Sequence, residues 1–495
     1  MRTHALDALL RRLEQADLRG VDLQATVTGV EYDSRRVAPG ALFVAVRGQV
    51  TDGNRFAEAA RRKGALAIVS EQPPQPGLPW VQVPDARVAL ARLAAAFQGD
   101  PAASLALVGV TGTNGKTTTT YLIDATLRAA GRTVGLLGTV QYRLGARIAE
   151  AARTTPESAD LHALLREMKD TGCGEAVLEV SSHSLALERL HGVEFDVAVF
   201  TNLTRDHLDF HGDMHAYFES KRRLFDTLLK PTGRAVINAD DDRAAELAAA
   251  SRAPVWTFGL RRPADFRADE PSLSLGGTRF TAQTPFGPLA VETPLLGRFN
   301  VQNVLAALCA ALARGVSPEQ ALAGVAAVRG VPGRLERVDN DAGFSVVVDY
   351  AHTDDALKNL LETVRELGPR RIVTVFGCGG DRDRSKRPLM GMVAARLSDV
   401  VVVTSDNPRS EPPEAIIAEV LRGTGGVRRG ECHAVVDRRE AIARAFELAG
   451  PGDAVVIAGK GHEATQTLRE RSVPFDDRQV ARDLLGRAAL RGGRP

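Results

Sequence analysis

The stretch at 105–121, LALVGVTGTNGKTTTTY, constrains this chain most. The apolar run at 105–110 predicts a buried parallel strand. A Gly-rich turn follows at 111–115, and Lys116 with Thr117, Thr118 and two further threonines opens a helix reaching about residue 130. Strand, Gly-rich loop and helix in this order make a phosphate cradle. Loop and helix-start N–H groups face the anion, and glycine lets the backbone come close. In such a cradle Lys116 reaches the β- and γ-phosphates, and the Thr117 hydroxyl holds Mg²⁺. The general pattern asks for Gly six residues before the lysine; Val110 stands there, between Gly109 and Gly112. The plainer alternative is a Gly-rich turn beside a surface lysine.

A chain of 495 residues holds two to four domains, each able to bury its own core. A net charge of +2 gives no global field toward nucleic acid or membrane. No apolar run reaches the ~18–20 residues of a membrane span. The opening MRTHALDALLRRLEQ lacks the apolar core of a signal peptide, so a cytoplasmic location is expected. Cys173, Cys309, Cys378 and Cys432 form no CxxC pair and read as reduced thiols. Only 8 of the 63 basic residues are lysines. Where arginine serves as the generic positive charge, a lysine suggests that an amine is needed. Lys116, Lys221, Lys386 and Lys460 each fall in a segment that carries other polar signals.

Residues 1–100 read as a small α/β domain, with strands near 26–32 and 41–46 and helices at 54–64 and 85–98, the second capped by Asp85. Asp33-Ser34-Arg35-Arg36 is a polar knot between strands and alone would be a turn. Residues 101–330 alternate strand and helix (133–137, 160–171, 176–180, 196–201), the pattern of a parallel sheet with helices on both faces. Ligands bind at the carboxyl ends of such strands, and the polar residues gather there. Glu179 ends the apolar strand of AVLEVSSH, where an acid needs a cation or a partner. Asp206, His207, Asp209, His211, Asp213 and His215 invite a zinc reading, but the spacing fits no compact zinc motif, and an ATP site prefers hard oxygen ligands for Mg²⁺. Lys221 is either a solvated helix lysine beside Arg222 and Arg223 or an amine that takes up CO₂ as a carbamate. Residues 255–295 read as short strands. Asn300 and Asn303 begin an Ala/Leu helix as caps or as an adenine contact.

Residues 331–495 repeat the alternation, with strands at 345–348, 371–376, 400–404 and 454–458. Their ends carry DYAH, GCGGDRDRSKRP, SDNPRSEPP and GKGHE. The glycines of GCGGDRD lack the dinucleotide order, so NAD is not expected. Arg409, behind the stiff Pro408, is either a two-pronged carboxylate clamp or a surface arginine paired with Glu411.

A dozen segments in one order resemble the Mur ligase family: DSRRVAPGALFVAVRG, GVTGTNGKTT, RTTPES, LEVSSHSL, FTNLTRDHLDFHG, ESKRRLF, GRFNVQN, VPGRLE, VDYAHTDDAL, GCGGDRDRSKRPLM, SDNPR and GKGHE. The unusual phosphate loop is that family's own form. The resemblance implies an α/β fold of three domains: a UDP-muramoyl-substrate domain at 1–100, a central P-loop doubly wound ATP domain at 101–330, and a C-terminal Rossmann-like amino-acid domain at 331–495. The implied reaction phosphorylates the side-chain carboxylate of D-Glu in UDP-N-acetylmuramoyl-L-alanyl-D-glutamate with ATP; an amino-acid amine then attacks the acyl phosphate. Lys116, Glu179, His207 and Lys221 take the catalytic roles. Thr117 and Glu179 match one magnesium site; His207 and carbamylated Lys221 match a second. Gly112, Thr113, Asn114, Gly115, Lys116, Thr117, Thr118, Asn300, Arg334 and Asp349 match the ATP contacts. Ser34, Gln49, Thr51, Thr154, Thr155, Ser182 and Arg189 match those to the UDP-muramoyl-dipeptide, with Leu187 departing where some members have Gln. SDNPR accompanies meso-diaminopimelate, whose second carboxylate Arg409 would clamp; Arg382, Asp406, Asn407, Pro408, Gly459 and Glu463 complete that pocket. A monomer acting on small molecules is implied, with neither nucleic acid nor membrane as partner. Competing readings are a lysine-adding or other Mur-type ligase, a glutamate-adding folate or cyanophycin enzyme, and an ATP-binding protein without catalysis. The DSRR segment argues against the folate and cyanophycin enzymes, and the presence of Lys116, Glu179, His207 and Lys221 against the last.

Overall fold

The computed structural model describes residues 3–48, 51–425, 431–469 and 471–492. The chain divides into two compact units: one of residues 1–267, 283–287 and 302–324, the other of 268–282, 288–301 and 325–495. The architecture is α/β throughout, in three successive domains.

The first unit begins with a five-stranded sheet. Gly29–Glu31, Ala41–Val44, Ala67–Ser70 and Trp80–Gln82 run parallel, and Asp17–Arg19 pairs antiparallel at the edge. Helix Ala86–Gln98 starts where Asp85 accepts the N–H groups of Arg87 and Val88, as the sequence predicts. Its apolar face packs Leu90, Leu93 and Phe97 against Leu42, Val44 and Val69.

The central sheet of the same unit carries the phosphate loop. Val134–Leu137, Glu175–Glu179, Ala106–Thr111, Phe195–Phe200, Leu229–Asn238 and Val255–Gly259 lie side by side and parallel. The hairpin Gln141–Leu144 and Arg147–Glu150 extends one edge antiparallel. These strands are near-continuous apolar runs because both faces are covered. The chain leaves Ala106–Thr111 toward one edge and later returns to its other side with Phe195–Phe200. A topological switch point therefore lies at its carboxyl end, where such sheets bind ligands.

In the second unit, Ser345–Asp349, Ala454–Ala458, Ile372–Phe376, Val400–Val403 and Glu431–Ala434 form a parallel sheet, with Glu336–Val338 antiparallel at one edge. The 255–295 excursion includes the antiparallel strands Ser272–Ser274, Gly277–Gln283 and Leu289–Thr293. Among the described residues, no helix is long and apolar enough to cross a membrane.

One buried group makes the first unit acid-sensitive. His162 lies in helix Ser158–Asp170, which packs on helix Ala86–Gln98, and among the described residues neither ring nitrogen has a hydrogen-bond partner. Burial pushes its pKa down from 6.5 to about 4, against the opposing pull of Asp100. The neutral form is thus the folded form. Below 6.5 the unfolded chain binds a proton that folded His162 refuses, so this contribution is intact above 6.5 and lost as pH falls toward 4. The loss amounts to ~3 kcal/mol. Thermal unfolding followed from pH 7 to pH ~4 should show a falling midpoint, and His162→Leu should flatten that fall. An unchanged slope in the variant would assign the acid sensitivity to other groups.

Candidate active site

The phosphate loop is shaped by its neighbours. A Cβ at Gly112 would lie 1.9 Å from Thr201 Oγ1, and one at Gly115 would lie 2.4 Å from Asn303 Oδ1. Both have positive φ, +146° and +85°. Val110, at odds with the general pattern, is a fully buried strand residue paired with Glu179 and Val199. The two demanding positions are therefore 112 and 115, and both are Gly. The loop is tied to the next strand end: Thr113 N–H donates to Asn202 O (2.8 Å), Asn114 N–H to Asn202 Oδ1 (3.0 Å), and Thr201 Oγ1 to Asn114 O (2.6 Å). Helix Lys116–Ala129 follows directly, with Thr117 and Thr118 buried in its first turn. Its N-terminal N–H groups and dipole favour an anion there. Lys116 Nζ folds back onto Gly112 O (2.9 Å) and Thr113 O (2.8 Å).

Glu179 ends its strand almost completely buried and is held by three donors. Thr117 Oγ1 (3.1 Å) and Thr139 Oγ1 (3.0 Å) reach Oε2, and Thr139 N–H reaches Oε1 (2.8 Å). Thr117 and Glu179 thus stand together as the sequence reading requires, and their hard oxygens suit Mg²⁺. Thr139 was not anticipated; its only sequence signal is its place just after strand Val134–Leu137. Of the residues that the sequence expects on the substrate side, Thr154, Thr155 and Arg189 join the same network. Thr154 Oγ1 meets Thr139 Oγ1 (3.0 Å), and Thr155 Oγ1 donates to Glu179 O (2.7 Å). Arg189 donates to Thr155 O (3.0 Å) and pairs with Glu157 (2.7 Å), while Ser182 Oγ meets His211 Nε2 (3.0 Å).

Lys221 sits in helix Met214–Asp226 with 1% of its surface exposed. Its Nζ donates to Gly112 O (2.8 Å) and lies 4.4 Å from the Tyr217 ring centre. Burial, then the charge of Lys116, hold its pKa well below the ordinary lysine value. The amine that reacts with CO₂ is the neutral one, so this environment suits a carbamate. A solvated helix lysine is ruled out by the geometry. His207, exposed, carries φ +54°, a strained backbone for a non-glycine residue and common where function imposes it. Its ring stacks edge-on against His183, 4.8 Å between centres. The other members of the His/Asp run have separate tasks. Asp213 caps helix Met214–Asp226, and His211 Nδ1 meets Ser220 Oγ (3.3 Å). Burial first, then the charges of His183 and Lys221, push His211 down to about 4.

On the N-terminal sheet, Ser34 O accepts from Lys63 Nζ (3.0 Å), and Arg36 reaches Asp160 (2.6 Å). The DSRR knot is therefore fastened to the central sheet's helix Ser158–Asp170 and is more than a turn. Thr51 is exposed, and its carbonyl accepts Gly48 N–H (2.9 Å); Gln49 lies outside the described residues.

In the second unit Asn300 lies inside helix Arg298–Ala313 and its Nδ2 donates back to Leu296 O (2.8 Å), so it is no simple cap. Asp349 accepts N–H groups from Leu335 (2.7 Å) and Ala351 (2.8 Å), and the Arg334 guanidinium lies 5.3 Å from the Tyr350 ring centre. The other strand ends converge. Asn407 Nδ2 donates to Glu463 Oε2 (2.8 Å), and a Cβ at Gly459 would lie 2.7 Å from Asp406 Oδ2. Pro408 is buried and Arg382 exposed. Arg409 has φ +52°, and its Nη1 donates to Gly380 O (2.7 Å). It does not pair with Glu411, which the fully buried Arg387 holds by both oxygens (2.8 and 2.9 Å). The guanidinium thus has no carboxylate partner within the described residues.

Known proteins similar to this chain cover almost its full length. Residues 26–98 match the Mur ligase family catalytic domain, 110–311 the Mur ligase middle domain and 333–461 the Mur ligase glutamate ligase domain. A UDP-N-acetylmuramoyl-L-alanyl-D-glutamate–2,6-diaminopimelate ligase from Geobacter metallireducens is 49% identical, covering 96% of this chain and 97% of its own. The protein of that name from Geobacillus kaustophilus is 48% identical over 92% of this chain and 94% of its own. A solved structure of a ligase of the same name is 36% identical with a TM-score of 0.73, covering 98% of this chain and 99% of that one. The Mycobacterium tuberculosis folylpolyglutamate synthase bound to ADP and AMPPCP, at 21% identity and a TM-score of 0.60 over 83% of this chain and 95% of that one, shares the fold. With three matched domains in sequence and near-half identity running almost end to end, the chain belongs to the Mur ligase family.

Proposed function

We propose that this protein is an ATP-dependent ligase that joins meso-diaminopimelate to the D-Glu side-chain carboxylate of UDP-N-acetylmuramoyl-L-alanyl-D-glutamate, in peptidoglycan precursor synthesis. The observation that carries the reading is the near-half identity, over almost the full length, to relatives named for this reaction. The enzyme works in the cytoplasm as a monomer on small-molecule substrates.

The γ-phosphoryl group passes to a carboxylate oxygen, giving ADP and an acyl phosphate. The amine of diaminopimelate then attacks the acyl carbon, loses a proton, and inorganic phosphate leaves. Two anions must meet in the first step, and positive charge placed in advance lowers that barrier. The phosphate loop and the helix start at Lys116 bind the triphosphate, and Lys116 exchanges its loop carbonyls for phosphate oxygens. Thr117 and Glu179, and His207 with carbamylated Lys221, would hold Mg²⁺, which when bound would supply positive charge against the repulsion between phosphate and carboxylate. Thr139 fixes the orientation of Glu179. Thr154, Thr155, Ser182 and Arg189 orient the muramoyl-dipeptide, with Ser34, Gln49 and Thr51 on its uridine side. Asn300, Arg334 and Asp349 serve the nucleotide. Arg409 clamps the second carboxylate of diaminopimelate, and Arg382, Asp406, Asn407, Pro408, Gly459 and Glu463 shape the rest of that pocket. Lysine lacks that carboxylate and would leave Arg409 unpaired.

Lys221→Ala should lower kcat by about a hundredfold or more, with partial recovery in acetate or formate, whose carboxylate stands in for the carbamate. Full activity of the plain variant would remove the carbamate role. Arg409→Ala should raise KM for diaminopimelate by about tenfold or more and leave ATP binding unchanged. Equal losses on both substrates would mean that the arginine only supports the loop.

A further inference from the structure

The GKGHE segment holds a lysine that no proposed contact uses. Lys460 follows strand Ala454–Ala458, and none of its surface is exposed. Glycines flank it on both sides. Gly459 and Gly461 have φ of +116° and +52°; a Cβ at 459 would meet Asp406 Oδ2 at 2.7 Å, and one at 461 would meet Tyr350 Cβ at 2.6 Å. The side chain points inward, and its ammonium has three acceptors: Thr465 O (2.6 Å), Glu463 Oε2 (3.1 Å) and Asn407 Oδ1 (3.2 Å). An ammonium has three N–H donors, so none remains for a substrate.

The acceptors matter more than the lysine itself. Asn407 Oδ1 takes both Lys460 Nζ and Thr467 N–H (3.0 Å), which fixes its amide orientation and turns Nδ2 to Glu463 Oε2 (2.8 Å). Glu463 Oε2 therefore receives two donors, while the carboxylate keeps 33% of its side-chain surface exposed. We infer that Lys460 is a positioning residue for the acceptor amino acid: it orients Asn407 and Glu463 as one unit, so that the outer oxygen of Glu463 faces an ammonium group of the incoming substrate. The inference rests on the reading of Asn407 and Glu463 as acceptor contacts. It also accounts for a lysine in a chain so rich in arginine. A planar guanidinium cannot meet three acceptors around one buried nitrogen.

The test is a double-mutant cycle of Lys460→Met and Glu463→Gln, read by phosphate release with each substrate varied in turn. Each single variant should raise KM for diaminopimelate by about tenfold, with KM for ATP and for the UDP-muramoyl-dipeptide within about twofold of wild type. The double variant should lose little more than either single one, because Lys460 acts through Glu463. Multiplied losses, an unchanged KM for diaminopimelate, or equal effects on all three substrates would overturn the proposal. Where Lys460→Met does not fold, Lys460→Gln keeps part of the donor set and should show the same selective rise. Failure of both to fold would make the lysine purely structural and also overturn it. A wild-type protein that ignores diaminopimelate would instead sink the acceptor assignment; the cycle would then be run with the amino acid it uses, where absence of coupling to Glu463 would overturn the role of Lys460.

Discussion

Two lysine amines share one carbonyl oxygen. Lys116 and Lys221 both donate to Gly112 O, at 2.9 and 2.8 Å, in a pocket from which Lys221 is almost wholly withdrawn from water. Like charges this close disfavour one another, and burial together with Lys116 favours the neutral amine at Lys221 unless an anion offsets them. The triphosphate is one such anion; a carbamate on Lys221 would be another and would turn repulsion into attraction. Glu179, locked by Thr117 and Thr139, supplies the fixed negative charge on the other side. The parallel sheet brings these groups together because its switch point falls at the end of Ala106–Thr111, between the strands that deliver Glu179 and Thr201.

The second unit handles its buried charges differently. Arg387 is paired with Glu411 and Glu419, and Arg438 with Asp477, each in good hydrogen-bonding geometry. Buried ion pairs of this kind contribute little net stability, yet removing one partner is costly. Their effect here is to hold the loops after the strand ends in one arrangement. Arg387 also donates to Gly379 O and Arg438 to Ser405 O and Ala458 O, so two loops and the end of strand Ala454–Ala458 are tied to these buried guanidinium groups. Among the described residues Arg409 forms no ion pair with a carboxylate; its Nη1 donates to Gly380 O instead.

Much of this was legible in the sequence, for local reasons. Apolar runs marked the strands of both doubly wound sheets, Asp85 announced its helix, and the loop glycines fell where the backbone makes close approaches. Glu179 and Lys221 stood out because an acid in an apolar strand and a lysine among arginines are each anomalous, and Thr117 because it follows the lysine of the phosphate loop. What remained hidden depends on contacts distant in sequence. Thr139 matters only because the strand just before it, Val134–Leu137, lies beside that of Glu179, 40 residues on. Lys460 becomes meaningful only when Asn407, 53 residues earlier, folds against it. Glu411, near enough to Arg409 to suggest a pair, is captured instead by Arg387, which lies 24 residues earlier in the chain. The unusual Val110 needed the sheet to show that positions 112 and 115 carry the glycine requirement.

The most direct test of the ligase activity is phosphate release by the purified protein with ATP, Mg²⁺, bicarbonate and UDP-N-acetylmuramoyl-L-alanyl-D-glutamate, offered meso-diaminopimelate or L-lysine. Release that requires the muramoyl-dipeptide and strongly prefers diaminopimelate is the predicted result. Equal or better use of lysine would contradict the role given to Arg409 while leaving the phosphoryl-transfer site intact. No release with either amino acid would contradict the central claim that this site makes an acyl phosphate for amide bond formation.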